Sequence, residues 1–154
     1  MSATIQTNHG SFTIDFDRSA APKTVENFEK LAATGFYDGV IFHRIIKGFV
    51  IQGGDPTGTG RGGPGYTFGD ELPGPNLDYE KYTVAMANAG PDSNGSQWFV
   101  CTADLRGRLP KNYTIFGRVT DGHEVVDMIG GVRTGPGDRP VEDVKMLKVT
   151  VAND

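Results

Sequence analysis

Near the N-terminus apolar and polar residues alternate: Phe12, Ile14 and Phe16 interleave with Thr13, Asp15 and Asp17. That is the period of a strand with one face on a core. Thr4 to Thr7 precede it across the turn residues Asn8-His9-Gly10, which predicts a hairpin. At Pro22 the period changes. Val25, Phe28, Leu31 and Ala32 fall on one helical face, proline suits the first turn, and Gly35 supplies a stop. Residues 40–46 and 49–53 then predict two strands joined by Lys47-Gly48. In the first, Val40, Phe42, Arg44 and Ile46 share one face, and Ile41, His43 and Ile45 the other. Both faces are largely apolar, so this strand should be covered on both sides.

The stretch 56–82 is rich in glycine and proline and reads as loop. Strands resume at 83–87, 97–101 and 113–119. Glu124 to Ile129 predict a short helix between Gly122 and Gly130, with Val125, Val126 and Ile129 on its apolar side. Leu147, Val149 and Val151 alternate in a last strand. About eight strands and two helices without a βαβ rhythm predict a mainly β, antiparallel fold. Closure into a barrel would remove exposed sheet edges, but periodicity alone does not distinguish barrel from sandwich.

The 154 residues suit one domain spanning 1–154. A hydrophobic content of 37% argues against disorder, and a net charge of −4 against a nucleic-acid partner. No apolar run approaches the ~18 residues of a membrane span, and the N-terminus lacks a basic-then-apolar leader, so a soluble cytoplasmic monomer is expected. Cys101, the one cysteine, lies in the apolar run Trp98-Phe99-Val100-Cys101 and reads as a buried small hydrophobe. Glycine is the outlier, at 22 residues, about twice the usual ~7% share. Gly58 to Gly65 gather eight residues of Gly, Thr, Arg and Pro, but no Gly-Lys-Ser/Thr ending follows, so this is no phosphate cradle. His9, His43 and His123 are dispersed without ligand spacing, which predicts no metal. Asp70, Glu71 and Asp78 read as solvated loop acids.

Two segments carry candidate chemistry. The first, Phe42-His43-Arg44-Ile45-Ile46-Lys47-Gly48-Phe49-Val50-Ile51-Gln52-Gly53-Gly54-Asp55, sets an arginine inside an apolar run. Arginine cannot shed its charge, so it needs an acceptor or a route to water, and a cation at the rim of an apolar surface suggests recognition. The second runs from Met86-Ala87-Asn88-Ala89-Gly90 through Gln97-Trp98-Phe99. Together they closely resemble the cyclophilins, a family of peptidyl-prolyl cis–trans isomerases. Ala21-Pro22-Lys23-Thr24-Val25-Glu26-Asn27-Phe28 and Thr114-Ile115-Phe116-Gly117-Arg118-Val119 extend the likeness over nearly the whole chain.

The resemblance implies an eight-stranded antiparallel closed barrel capped by two helices, and an enzyme that needs no cofactor. It implies that Arg44 is the catalytic arginine, working with Phe49 and Gln52. Val50, Phe99 and Leu109 would wall a proline pocket, with Val50 where methionine is common. Ala87, Asn88, Ala89 and Gln97 would line the groove for the substrate backbone. Tyr113 stands where histidine is frequent. The segment Thr102 to Tyr113 is one residue longer than the commonest form, and Arg108 stands nearest to a tryptophan that many members carry. Since the inhibitor cyclosporin uses that tryptophan, weakened cyclosporin binding is expected. The implied partners are proline-containing peptides and flexible protein segments, whose folding the enzyme would assist. The alternative is a proline-peptide binding module whose turnover is incidental.

Overall fold

The computed structural model describes residues 1–152. Among them one antiparallel sheet of nine strands is flanked by two α-helices. The hairpin forms as β1 (Ser2–Thr7) and β2 (Gly10–Phe16), in register from Ser2↔Asp15 to Thr7↔Gly10. The others are β3 (Val40–Ile41), β4 (Arg44–Ile46), β5 (Val50–Gly53), β6 (Thr83–Met86), β7 (Trp98–Cys101), β8 (Ile115–Asp121) and β9 (Lys145–Ala152). Their order is β3-β9-β1-β2-β8-β6-β7-β5-β4. The two end strands, β3 and β4, are separated in the chain only by Phe42 and His43. The sheet therefore curls until its ends meet, as the resemblance implies.

That geometry explains why the expected strand 40–46 is split, and why nine strands stand where eight were expected. Val40 and Ile41 pair with Met146 and Lys145 of β9, whereas Arg44 to Ile46 pair with β5. The chain turns the corner of the barrel at Phe42-His43, so the two-residue alternation does not run through. Phe42 is fully buried, its ring 5.7 Å from that of Trp98, while Arg44 is exposed. The two do not share a face. The last strand also departs from simple alternation. Gln6 faces Lys148 but Thr7 faces Met146, so Leu147 has no partner across the ladder. This bulge inserts one residue and reverses the inward face. Met146 and Val149 are buried, Val151 is half-buried, and Leu147 is 48% exposed.

The barrel interior is aromatic. Phe28 of α1 (Pro22–Ala33) lies 5.0 Å from Tyr37, 5.6 Å from Phe116 and 5.9 Å from Trp98, ring centre to ring centre. α1 packs on β8 and β9, and α2 (His123–Gly130) on β2, β4 and β5. Their buried faces include the predicted Val25, Phe28, Leu31 and Ala32, and Val125, Val126 and Ile129. No side chain of α1 caps its own N-terminus. Glu71 does so instead, accepting from the backbone N–H of Thr24 (2.8 Å) and Lys23 (3.3 Å) and from the Thr24 hydroxyl (2.8 Å). A carboxylate at that end satisfies orphan donors and meets the positive pole of the helix.

The loop acids are thus structural rather than merely solvated. Asp70 and Asp92 each accept from the other's backbone N–H, and Asp70 also receives the Asn94 amide. The Asp78 carboxylate accepts from the N–H of its neighbour Tyr79, and its backbone carbonyl from the Glu80 N–H and the Thr83 hydroxyl.

Strand alternation also sorts residues into two cores. Ile45, Ile51, Val84, Trp98, Val100 and Phe116 face the interior. Val50, Ala85, Phe99, Cys101 and Ile115 face outward, into a second cluster under the loops carrying Tyr79 and Leu105. This is why runs such as Trp98 to Cys101 are apolar throughout: both faces are covered.

The bulge at Leu147 yields a test. Leu147→Ser should change unfolding free energy by less than ~0.5 kcal/mol, since an exposed side chain is exchanged. Val149→Ala, two positions on, should cost about 2 kcal/mol in the same urea titration. Equal losses would mean that the bulge is misplaced.

Candidate active site

Cross-strand register assembles the site. Arg44 of β4 faces Gln52 of β5, Gln52 faces Phe99 of β7, and Phe99 faces Ala85 of β6. Directly opposed residues of antiparallel strands point to the same side. The row therefore lies on the outer wall, since the next row, Ile45, Ile51, Val100 and Val84, points inward.

Beside this row is a cup of about 260 Å³. Phe49, Val50, Phe99 and Leu109 form its apolar wall, Arg44 and Gln52 one polar side, and Ala87, Asn88 and Tyr113 complete the lining. Gln97 and Ala89 do not line the cup. They line an adjoining groove that shares Gln52, Ala87 and Asn88 with it and continues along Gly60 to Thr67.

The cup is held by contacts from several loops. The Phe99 and Tyr113 rings meet edge to face at 5.7 Å. Tyr79 is fully buried behind them. Its hydroxyl donates to the Tyr113 carbonyl at 2.7 Å and accepts from the Tyr113 N–H at 3.1 Å, pinning that residue by both backbone groups. Burial, partly offset by the bond from the Tyr113 N–H and helped by the smaller effect of nearby charges, pushes the Tyr79 phenol up to about 12. The Arg108 guanidinium lies 5.9 Å from the centre of the Phe49 ring, a cation–π distance. Cys101 is fully buried, and burial pushes its thiol up to about 12, so it packs as a small hydrophobe.

The polar side of the cup is bonded internally. Arg44 Nη1 donates to Gln52 Oε1 at 3.1 Å, and Gln52 Nε2 to Gln97 Oε1 at 3.2 Å. Gln97 Nε2 donates to the carbonyls of Gly60 (2.9 Å) and Gly62 (3.2 Å). Asn88 spends both ends of its amide on backbone, donating to the Asn112 carbonyl and accepting from the Gly90 N–H.

The glycine-rich loop is organised around one side chain, Asp55, which is wholly buried. Its carboxylate accepts from the backbone N–H of Thr57, Thr59, Gly60 and Gly62 and from the Thr57 hydroxyl. Burial alone would raise its pKa, but the bonds from Gly62, Thr57 and Gly60 outweigh it and hold the carboxyl at about 2. Next to the site His43 is buried, and burial lowers its pKa despite the opposing pull of Asp55.

Sequence reasoning missed Asp55 and Tyr79 as supports of the site. A signal for Asp55 existed: a lone carboxylate directly before a loop rich in Gly and Thr donors. Tyr79 sits in an aperiodic loop and has no local signal.

The site is thus a half-apolar cup on the outer wall of a curled antiparallel barrel, rimmed by a cation and continuous with an open groove. Comparison with known proteins is specific. Residues 2–151 match the family described as cyclophilin type peptidyl-prolyl cis-trans isomerase. A peptidyl-prolyl cis-trans isomerase of Arabidopsis thaliana is 46% identical over 98% of this chain and 96% of its own. The mouse peptidyl-prolyl cis-trans isomerase-like 1 is 51% identical over 94% of this chain and 88% of its own. A cyclophilin from Cryptosporidium parvum, crystallised in the presence of the dipeptide alanyl-proline, superposes with a TM-score of 0.94 at 36% identity, with both chains fully covered. The chain belongs to the cyclophilin family and is a peptidyl-prolyl cis–trans isomerase. Among its described residues no helix is long and apolar enough to cross a membrane.

The depressed Asp55 pKa has a pH consequence. Folding lowers this pKa from an ordinary ~3.9, so the ionised group stabilises the fold above pH ~4, by about 2 kcal/mol. That contribution should fade as pH falls from ~4 to about 2. Urea titrations across this range should show a shallower acid loss for Asp55→Asn than for the wild type, and identical slopes would contradict the assignment.

Proposed function

We propose that Arg44 is the group that accelerates rotation, and that Phe49, Val50, Phe99 and Leu109 hold the proline ring while it acts. An amide resists rotation because its nitrogen shares a lone pair with the carbonyl, at a barrier of ~18–20 kcal/mol. Before proline, uncatalysed exchange takes tens to hundreds of seconds. In the twisted transition state that sharing is lost. The nitrogen becomes pyramidal and its lone pair becomes a true acceptor, which it is not in the planar ground state. A donor aimed at it stabilises the transition state over the substrate, as catalysis requires. Arg44 is always charged and carries its donors in a rigid fork. No covalent bond forms or breaks, so no nucleophile or cofactor is called for.

The observation that carries this reading is the position of Arg44. It is exposed at the rim of the cup, with one nitrogen held by Gln52 and with Phe49, Phe99 and Leu109 opening beside it. Gln52, Ala87, Asn88, Ala89 and Gln97 would then guide the chain on either side of the proline, and Tyr113 would close the far side of the cup. Bringing a half-minute event to milliseconds takes on the order of 10⁴-fold, about 5.5 kcal/mol. A hydrogen bond to a charged group supplies ~1.5–3 kcal/mol. Arg44 is therefore the largest single contributor but not the whole effect, and fixing the ring while the preceding carbonyl turns supplies the rest.

The substrates in this reading are proline-containing peptides and flexible protein segments, whose folding the enzyme assists as a monomer. The dipeptide used with the Cryptosporidium relative supports this chemistry. The chain acts as the single domain read from its sequence, which the pairing of its first strand with its last supports. Residence in the cytoplasm fits its single, buried thiol.

Arg44→Ala should lower turnover of a proline peptide, measured by exchange NMR, roughly 10- to 100-fold. Peptide affinity should fall less than ~3-fold. Near-wild-type turnover would remove Arg44 from the mechanism. Cyclosporin should bind more weakly than to members with a tryptophan at the position of Arg108, and Arg108→Trp should tighten it. Calorimetric titration showing equal affinity before and after that change would refute the role given to Arg108.

A further inference from the structure

We propose that Asp55 is a positioning residue for catalysis, and that it sets the direction of a hydrogen-bond relay ending on Arg44. The proposal rests on the reading of Arg44 given above. Asp55 touches neither the cup nor the groove. It reaches Arg44 through two backbone units and two side-chain amides.

The same two residues are gripped on both sides. The N–H groups of Gly60 and Gly62 donate to Asp55 Oδ2 at 2.7 and 3.0 Å. Their carbonyls receive Gln97 Nε2 at 2.9 and 3.2 Å. A carboxylate can only accept, so it fixes which way these loop units face. The loop wraps so closely that a side chain at Gly62 would collide with the carboxylate.

Polarity then passes along the chain of amides. Two carbonyls in front of Gln97 demand its NH₂ end, and both of its N–H groups are used there. Its Oε1 is thereby turned to Gln52 and receives Gln52 Nε2 at 3.2 Å. Gln52 has its own NH₂ end committed, so its Oε1 faces Arg44 Nη1 at 3.1 Å. If either amide turned over, Gln52 would present donors to a guanidinium that has only donors. Arg44 would lose its acceptor and swing freely in solvent. The carboxylate of Asp55 thus ensures that an oxygen, not an NH₂, meets the guanidinium on the side away from the cup. The cation's remaining donors are left for the substrate. Such networks work as units, so removing one member costs more than one bond.

The test separates a relay from a general loss of structure. Asp55→Asn and Gln97→Met are each made in the wild type and in Arg44→Ala. Turnover and KM are read by exchange NMR on one proline peptide, with thermal melts as a folding control. We expect each substitution to lower kcat roughly 3- to 10-fold, with KM within about 2-fold for Asp55→Asn, which lies outside the groove, and a larger rise in KM for Gln97→Met, which lines it. In Arg44→Ala neither should lower kcat by more than ~1.5-fold, because an effect exerted through Arg44 has nothing left to act on. Multiplicative losses would overturn the relay, as would an unchanged kcat in Gln97→Met, a variant that leaves every hydrogen bond of Asp55 in place should Asp55→Asn fail to fold. Near-wild-type turnover in Arg44→Ala alone would instead overturn the reading of Arg44, so the two failures are distinguishable.

Discussion

β5 is hydrogen-bonded along both edges, to β4 on one side and β7 on the other, and this double pairing is the constraint on which the site depends. A strand so placed cannot shift by one residue without turning every side chain to the opposite face. Ile51 is driven inward, with Ile45 and Val100 beside it. Gln52 is then obliged to point outward, between Arg44 and Phe99. The interior packing that stabilises the barrel thus also delivers the cation, the amide and the aromatic wall to one row of its outer surface. The geometry of that row follows from a register that apolar burial already enforces.

The outer wall needs its own cover, because Val50, Phe99, Cys101 and Ile115 are as apolar as the residues within. Tyr79 and Leu105, from loops far apart in the chain, supply it. The cup is the part of this second core left open, with Leu109 and Tyr113 at its edge. A pocket that is the unfilled end of a packed cluster is preformed, so little ordering entropy opposes entry of an apolar ring.

The long irregular loop is held by the opposite kind of interaction. Few apolar side chains anchor 56–65, and one buried carboxylate collects its N–H groups instead. An ionised group is tolerated there because donors surround it, which is also why its pKa falls although it is buried. Glu71 does comparable work at the start of α1. Glu71 reads as an ordinary loop acid until Lys23 and Thr24, 48 and 47 residues away, are in place.

Periodicity along the chain was sufficient for the hairpin, both helices and most strands, because a pattern of two or of 3.6 residues is a local property. The two long motifs were sufficient for the family. Locality also marks where reading failed. Leu147 lost its place to a bulge against β1, and Arg44 parted from Phe42 at the corner of the barrel. Glu71, read as a solvated loop acid, acquired structural work at the start of α1, on a residue 47 positions away. Each of these depends on which segments meet, through pairings made across tens of residues. No window of sequence contains both partners, so only the closed sheet, with its register and its long-range hydrogen bonds, could decide them.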